Sequence, residues 1–231
     1  VPHGMVKLGP DTNAKHMSVD AYQYENTKIE GFTHTHLQGP GGSFNGYSHI
    51  LMVPTVGALK TRKEEYASTF SHKTETASPG YYAVTLGAYK VKVELTATAH
   101  AGVHRYTFPA STQAQILIDL GHSLGEPRDG KVQILEDRTV QGFGEYLVHP
   151  LLYQTLVRDG IKTSLSRVYF HARFSKAFSG HGTWDDSGGK NEQSKGASQA
   201  SGKKIGAWVG FTTVADEKIQ VQVGISLVSV D

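Results

Sequence analysis

A chain of 231 residues can bury about 70% of its unfolded surface in one large core, and with no cysteine it must do so without disulfides, thiolate zinc sites or a cysteine nucleophile. Its 23 basic and 21 acidic residues are dispersed, leaving a formal charge of +2 and no basic run to follow a phosphate backbone, which argues against nucleic acid as a partner. No apolar stretch approaches the roughly 20 residues that span a bilayer, and the opening VPHGMV carries no leader pattern, so the sequence reads as a mature or cut piece without a membrane span.

The first informative stretch is GFTHTHLQGPGG, Gly31 to Gly42. In an extended strand, residues two apart point the same way, which predicts that His34 and His36 share a face with Phe32 while Thr33 and Thr35 share the other. Gly39, Gly41 and Gly42 permit positive φ and remove the Cβ atoms that would hold a ligand off the backbone. Backbone bared beside imidazoles and Gln38 can hydrogen-bond hydroxyl groups of the kind a sugar offers; an ordinary tight connection between strands is the alternative. A zinc site from His34, His36 and His49 is disfavoured, because i, i+2 imidazoles splay and no carboxylate lies close in sequence. Hydrogen bonding that holds a loop or lines a polar pocket suits these histidines better.

Further along, HILMVPTVG (49–57) and AQILIDLG (114–121) are continuously apolar, as strands covered on both faces are. Segment KTRKEEYAST (60–69) allows a helical turn or two but has no sustained apolar stripe. Period-two alternation marks Tyr82–Gly87, Val91–Thr96 and Gln220–Ile225 as strands with one buried face. About a dozen or more such candidates, separated by Gly, Pro, Asn or Ser, predict an all-β fold: a large antiparallel β-sandwich with few or short helices. One segment breaks the rhythm. Residues 179–204, rich in Gly, Ser and Lys, have the composition of a long mobile loop between the strands VYFHARFSKAF and IGAWVGFTT. Trp184, its one large apolar group, either anchors that loop on the body or waits for a partner, and anchoring is the favoured reading.

Motifs for chemistry are sparse. There is no GxSxG elbow, no EF-hand spacing and no glycine-rich phosphate loop opening a helix. Asp11, Glu30, Asp119, Glu126, Glu136, Asp137 and Glu145 are available as carboxyl groups, yet nothing in their local sequence marks a general acid and base among them.

Several segments resemble the N-terminal domain of glycoside hydrolase family 92, the calcium-dependent exo-α-mannosidases. They are PHGMVKLGPDT (2–12), YQYENTKIEGFTHTHLQGPG (22–41), VELTATAHAGVHRYTFP (93–109), VYFHARFSKAF (168–178) and EKIQVQVGISLVS (217–229), spread over almost the whole chain in order. The resemblance implies a single sandwich domain of the super-sandwich type over 1–231, packed in the larger enzyme on an (α/α)6 barrel that this chain lacks. In the family the barrel supplies the catalytic acid and base and the ligands of the calcium ion. By that resemblance the chain has no catalytic or metal-binding residue, is inactive alone, and lines one side of a pocket for α-mannosides or N-glycan mannose. His3, His34, His36, Gln38, Gly41 and Gly42 are the implied substrate-side residues, the histidines bracing and the glycines admitting the sugar. A secreted or periplasmic bacterial location, possibly at the cell surface, is implied as well. Two departures bear on linkage specificity: His3 stands where the family's PFGM has phenylalanine, and Gly42 stands where α-1,2-specific members place a tryptophan. The rival readings are a free-standing carbohydrate-binding sandwich with Trp184, Tyr47 and Phe44 as its platform, and a purely structural packing domain. The face that would meet the barrel is expected to be apolar and exposed.

Overall fold

The computed structural model describes residues 4–12, 21–36, 47–147, 158 and 165–230. Its strands in the first half of the chain are β1 (Gly9–Asp11), β2 (Lys28–Ile29), β3 (Gly31–Thr33), β4 (Leu51–Val56), β5 (Ser68–Thr69), β6 (Thr76–Ser78), β7 (Tyr81–Leu86), β8 (Val91–Ala97) and β9 (Ala101–Phe108). The second half adds β10 (Ser111–Asp119), β11 (Glu126–Leu135), β12 (Thr139–Leu147), β13 (Ser166–Phe174), β14 (Gly180–Asp185), β15 (Glu192–Lys195), β16 (Gln199–Ser201), β17 (Ile205–Thr213) and β18 (Glu217–Ser226). They form a seven-stranded sheet in the order β1-β3-β4-β10-β17-β14-β15, a nine-stranded sheet in the order β16-β11-β12-β13-β18-β9-β8-β7-β6, and the small pair β2-β5. Every pairing described is antiparallel. The chain is the β-sandwich that the alternating runs predict.

The two large sheets stack face to face. In β18 the alternation is complete: Ile219, Val221, Val223 and Ile225 are buried while Gln220 and Gln222 are exposed. Phe32 of one sheet meets Tyr82 of the other with ring centroids 6.5 Å apart, and Phe211 meets Phe174 at 6.3 Å. These tilted contacts join the two sheets with the geometry that aromatic quadrupoles prefer.

Strands β4 and β10 are continuously apolar because their outer face is covered too. Gln115, Leu117 and Asp119 alternate with the inward Ile116 and Ile118, yet all are buried. The cover is the segment 57–66, which ends in the one-turn helix α1 (Lys63–Tyr66), the turn anticipated within 60–69. Gln115 Nε2 donates to the Gly57 carbonyl at 2.8 Å, and Thr61 Oγ1 donates to Asn191 Oδ1 at 2.6 Å. Tyr66 OH donates to Asp119 Oδ2 at 2.8 Å.

Residues 179–204 correct the sequence reading. They are not one long loop but carry β14, β15 and β16, and they complete edges of both large sheets. Composition misleads here for a physical reason. All four residues of β15 are exposed, and an exposed edge strand is kept polar and charged, which makes it resemble a solvated loop. The glycines are there to seat rings: a Cβ on Gly206 would come 2.0 Å from Trp184 Cζ2, and one on Gly182 would come 2.7 Å from Trp208 Nε1. Trp184 is 2% exposed and sits in the core, so it anchors this segment and cannot serve as a sugar platform. Exposed large apolar side chains include Tyr24, Tyr47, Leu135, Val214 and Val228, which belong to separate segments rather than to one strand face.

Candidate functional site

The GFTHTH stretch is strand only as far as Thr33, and this reverses the expected sharing of faces. Beyond Thr33 the chain leaves the ladder, so His34 and His36 point to different partners. His34 turns into the interior and reaches the facing sheet; His36 turns back with Thr33 toward β1.

Around His36 the centre is Asp11, a fully buried carboxylate at the end of β1. It accepts from Thr33 Oγ1 at 2.9 Å and His36 Nε2 at 2.7 Å on one oxygen, and from His122 Nε2 at 2.7 Å on the other. His36 Nδ1 donates to the Lys7 carbonyl at 2.6 Å. With both ring nitrogens facing acceptors, His36 is satisfied only as the imidazolium. Burial alone would push the Asp11 carboxyl up, but the hydrogen bonds from His122 and His36 outweigh it and hold Asp11 far below the usual carboxylate range. Burial likewise opposes charge on His36 and His122, and the bond to Asp11 overrides it in each, so both are raised. One carboxylate thus ties together segments 9–12, 33–36 and 120–124, which are far apart in sequence.

Around His34 the logic is the opposite. His34 Nδ1 donates to the Ile50 carbonyl at 2.7 Å, so its Nε2 carries the lone pair and accepts from His104 Nε2 at 2.9 Å. His104 Nδ1 in turn accepts from Tyr106 OH at 2.8 Å. This relay is complete with both rings neutral and has no acceptor for another proton. Burial accordingly pushes His34 down to about 4 and His104 well below the ordinary histidine value. The pair bridges the two sheets, and Gly102 makes room for it: a Cβ there would come 2.9 Å from His34 Cδ2.

The chain on the far side of segment 37–46 is fastened to the same place. His34 N–H donates to the His49 carbonyl at 3.1 Å, Ser48 N–H to the Thr35 carbonyl at 2.8 Å, and His49 N–H to Thr35 Oγ1 at 3.0 Å. The His49 ring stacks on Tyr146 with centroids 4.1 Å apart, and Tyr47 stacks on His49 at 5.6 Å. The Tyr47 carbonyl accepts from Leu124 N–H at 2.8 Å and Ser123 Oγ at 3.2 Å. Ser48 and Ile50 hold φ of +68° and +57°, and for β-branched Ile50 such a backbone costs on the order of 1–3 kcal/mol. That conformation is kept at a position whose carbonyl receives His34 Nδ1–H, and whose neighbour His49 is stacked in place.

Of the residues expected on the substrate side, His34 is buried with both ring nitrogens engaged, and His36 is mostly buried with both engaged. The structure gives the two different partners, Ile50 and His104 for His34 and Lys7 and Asp11 for His36. His3, Gln38, Gly41 and Gly42 lie outside the described residues, as do Gly39 and Phe44. Sequence reasoning missed His104 and His122 altogether and saw Asp11 only as one carboxyl among several. The signal for His104 was present: in AGVHRYTF it occupies the same period-two register as Tyr106 and Phe108, a core position. For Asp11 and His122, 111 residues apart, no local signal exists.

Residues 1–226 match the glycosyl hydrolase family 92 N-terminal domain. A family GH92 α-mannosidase of Bacteroides thetaiotaomicron, solved in complex with mannoimidazole, is similar with a TM-score of 0.83 and 31% identity, over 99% of this chain and 30% of that one. The GH92 glycosyl hydrolase ccman5 gives a TM-score of 0.80 and 30% identity, over 97% of this chain and 29% of its own. An uncharacterized secreted glycosidase of Arthroderma benhamiae is 26% identical across 148 residues, 59% of this chain and 19% of that protein. The chain therefore spans between 19% and 30% of the length of these relatives. By sequence over residues 1–226 and by fold over nearly its whole length, this chain belongs to the N-terminal domains of glycosyl hydrolase family 92.

Proposed function

We propose that the chain is the substrate-wall domain of an exo-acting, inverting α-mannosidase, a single domain that packs on a catalytic barrel and presents segment 37–46 to the mannose pocket. The observation that carries the reading is the double fastening at the base of that segment. Residues 34–36 are fixed by the Asp11 cluster and the His34–His104 relay, and residues 47–50 by backbone hydrogen bonds and the Tyr146 stack. A wall that contributes to transition-state binding must be preorganised, since slack of about 1 Å costs rate. His34 and His36 then act as braces, and sugar contact falls to His3, Gln38, Gly41 and Gly42. Support also comes from the relative solved with mannoimidazole.

Inverting hydrolysis needs a general acid and a general base roughly 6.5–9.5 Å apart with a water between them. In this reading both come from the barrel. Calcium does not fit the donor sets seen here: both Asp11 oxygens are taken by Thr33, His36 and His122, and the described residues hold no cluster of three His, Asp or Glu set for a cation. A secreted or periplasmic setting accords with the relative described as secreted, and none of the described helices is long and apolar enough to cross a membrane.

The test is a titration of the chain with mannobiose, followed by NMR of the His36 ring and the Gly41 and Gly42 amides. Saturable shifts of these signals, with His104 unmoved, are expected. If all stay fixed while the protein is folded, the packing-domain reading replaces this one.

A further inference from the structure

A cavity of about 330 Å³ opens at the end of the seven-stranded sheet, within the size range of small-ligand clefts. Tyr66 and Asp119 line one side, His122 and Gly121 another, and Trp184, Thr61 and Lys204 complete it. Two features point to a ligand. The first is His122, which is 5% exposed and commits Nε2 to Asp11, while among the described residues nothing bonds its Nδ1. That nitrogen is not sealed off: the ring lines the cavity and leaves Nδ1 open to a hydrogen-bonding group placed there. The second is the charge pattern of the walls. Arg62, Lys63 and Lys204 are interleaved with Glu64, Asp119 and Asp186, so a charged ligand of either sign would lie against like charge. Asp119 already accepts from Tyr66 OH at 2.8 Å and Gly121 N–H at 2.8 Å, and Asp186 from Arg62 at 3.0 Å. Thr61 is taken up by Asn191 and Gln193, so what remains on offer is a mixed set of donors and acceptors: Lys204, His122 Nδ1 and the remaining lone pairs of the carboxylates. An uncharged molecule with hydroxyl groups at several positions matches such a set, because each hydroxyl both donates and accepts.

We propose that this cavity binds a neutral polyhydroxylated ligand, one sugar unit, with His122 Nδ1 and Lys204 as its principal contacts. His122 also bonds Asp11 of the brace, so the His36 and His122 rings respond together, and the Gly41 and Gly42 amides are what tell the two assignments apart.

The test uses the 231-residue chain with labelled histidine, titrated separately with mannose, glucose and inorganic phosphate up to about 100 mM, where a site of millimolar affinity is saturated. Mannose or glucose is expected to shift the His122 ring saturably and leave the interior His104 ring unmoved. Replacing His122 risks the fold, so the probe substitution is Lys204→Met, which keeps the stem and removes the ammonium. That variant should weaken the sugar about tenfold or more with unchanged His34 and His104 signals. Shifts produced by phosphate and not by sugars would overturn the proposal in favour of an anion site. A fixed His122 ring with shifts at Gly41 and Gly42 would overturn it while leaving the substrate-wall reading intact.

Discussion

The substitution that probes the brace most sharply is Asp11→Asn. The buried carboxylate receives three donors, Thr33 Oγ1, His36 Nε2 and His122 Nε2. An asparagine keeps one acceptor oxygen and sets an N–H₂ group against whichever imidazole faces the other side. Either ring can adapt, because a neutral imidazole with its proton on Nδ1 presents an acceptor at Nε2, but the oxygen on the His36 side also receives Thr33 Oγ1–H, whereas the oxygen facing His122 receives that ring alone. The amide should therefore turn its oxygen to His36 and its nitrogen to a neutral His122, and the loss should sit near the low end of the range for breaking a buried ion pair, about 3 kcal/mol. Against a domain stability of ~5–15 kcal/mol this is large but survivable. The pH dependence has a definite sign. His36 and His122 are raised in the folded chain, so their share is fully present below the unfolded histidine value of about 6.5 and is lost as pH rises through the folded values. Asp11 is lowered, so its share is present above about 3.9 and is lost as pH falls. The difference between wild type and Asp11→Asn in urea unfolding should be greatest between about pH 4 and 6.5 and shrink on both sides. A difference under about 1 kcal/mol throughout that window would refute the cluster as described.

Other consequences are simpler to state. At about pH 6, ¹⁵N shifts should report His34 as the neutral Nδ1–H tautomer and His104 as the neutral Nε2–H tautomer; a cationic ring at either position contradicts the relay. Because His34 is pushed down to about 4, the unfolded chain takes up its proton first, and acidification from about pH 7 to 4 should remove about 3 kcal/mol through this residue. Gly206→Ala places a Cβ 2.0 Å from Trp184 Cζ2 and 2.5 Å from the Ile118 carbonyl, and should cost about 3 kcal/mol, a fall of roughly 6–12 °C in Tm. Gly188→Ala, where a Cβ meets nothing within 4 Å, should stay within about 0.5 kcal/mol and serves as the control.

The strands were legible wherever a residue's burial follows its parity. β18 shows it in full, and β4 and β10 show the doubly covered version. What misled was composition without parity: β15, exposed at all four positions, has no apolar face to reveal it. The site was legible only in part, and the limit is again physical. GFTHTHLQG announces itself as unusual, but the period-two rule fails at Thr33, where the ladder ends and the next residues obey hydrogen bonds to Asp11 and Ile50 instead. Those partners lie 25 and 16 residues away, and no local pattern encodes them.

The central claim is that these residues hold a pocket wall in place while the bond-breaking carboxyl groups lie on other polypeptide. The most direct measurement is hydrolysis of mannobiose by the purified 231-residue chain, with calcium and with a chelator, sensitive enough to detect one turnover per hour. The account predicts no release of mannose in either condition; calcium-dependent release by the folded chain alone would contradict it.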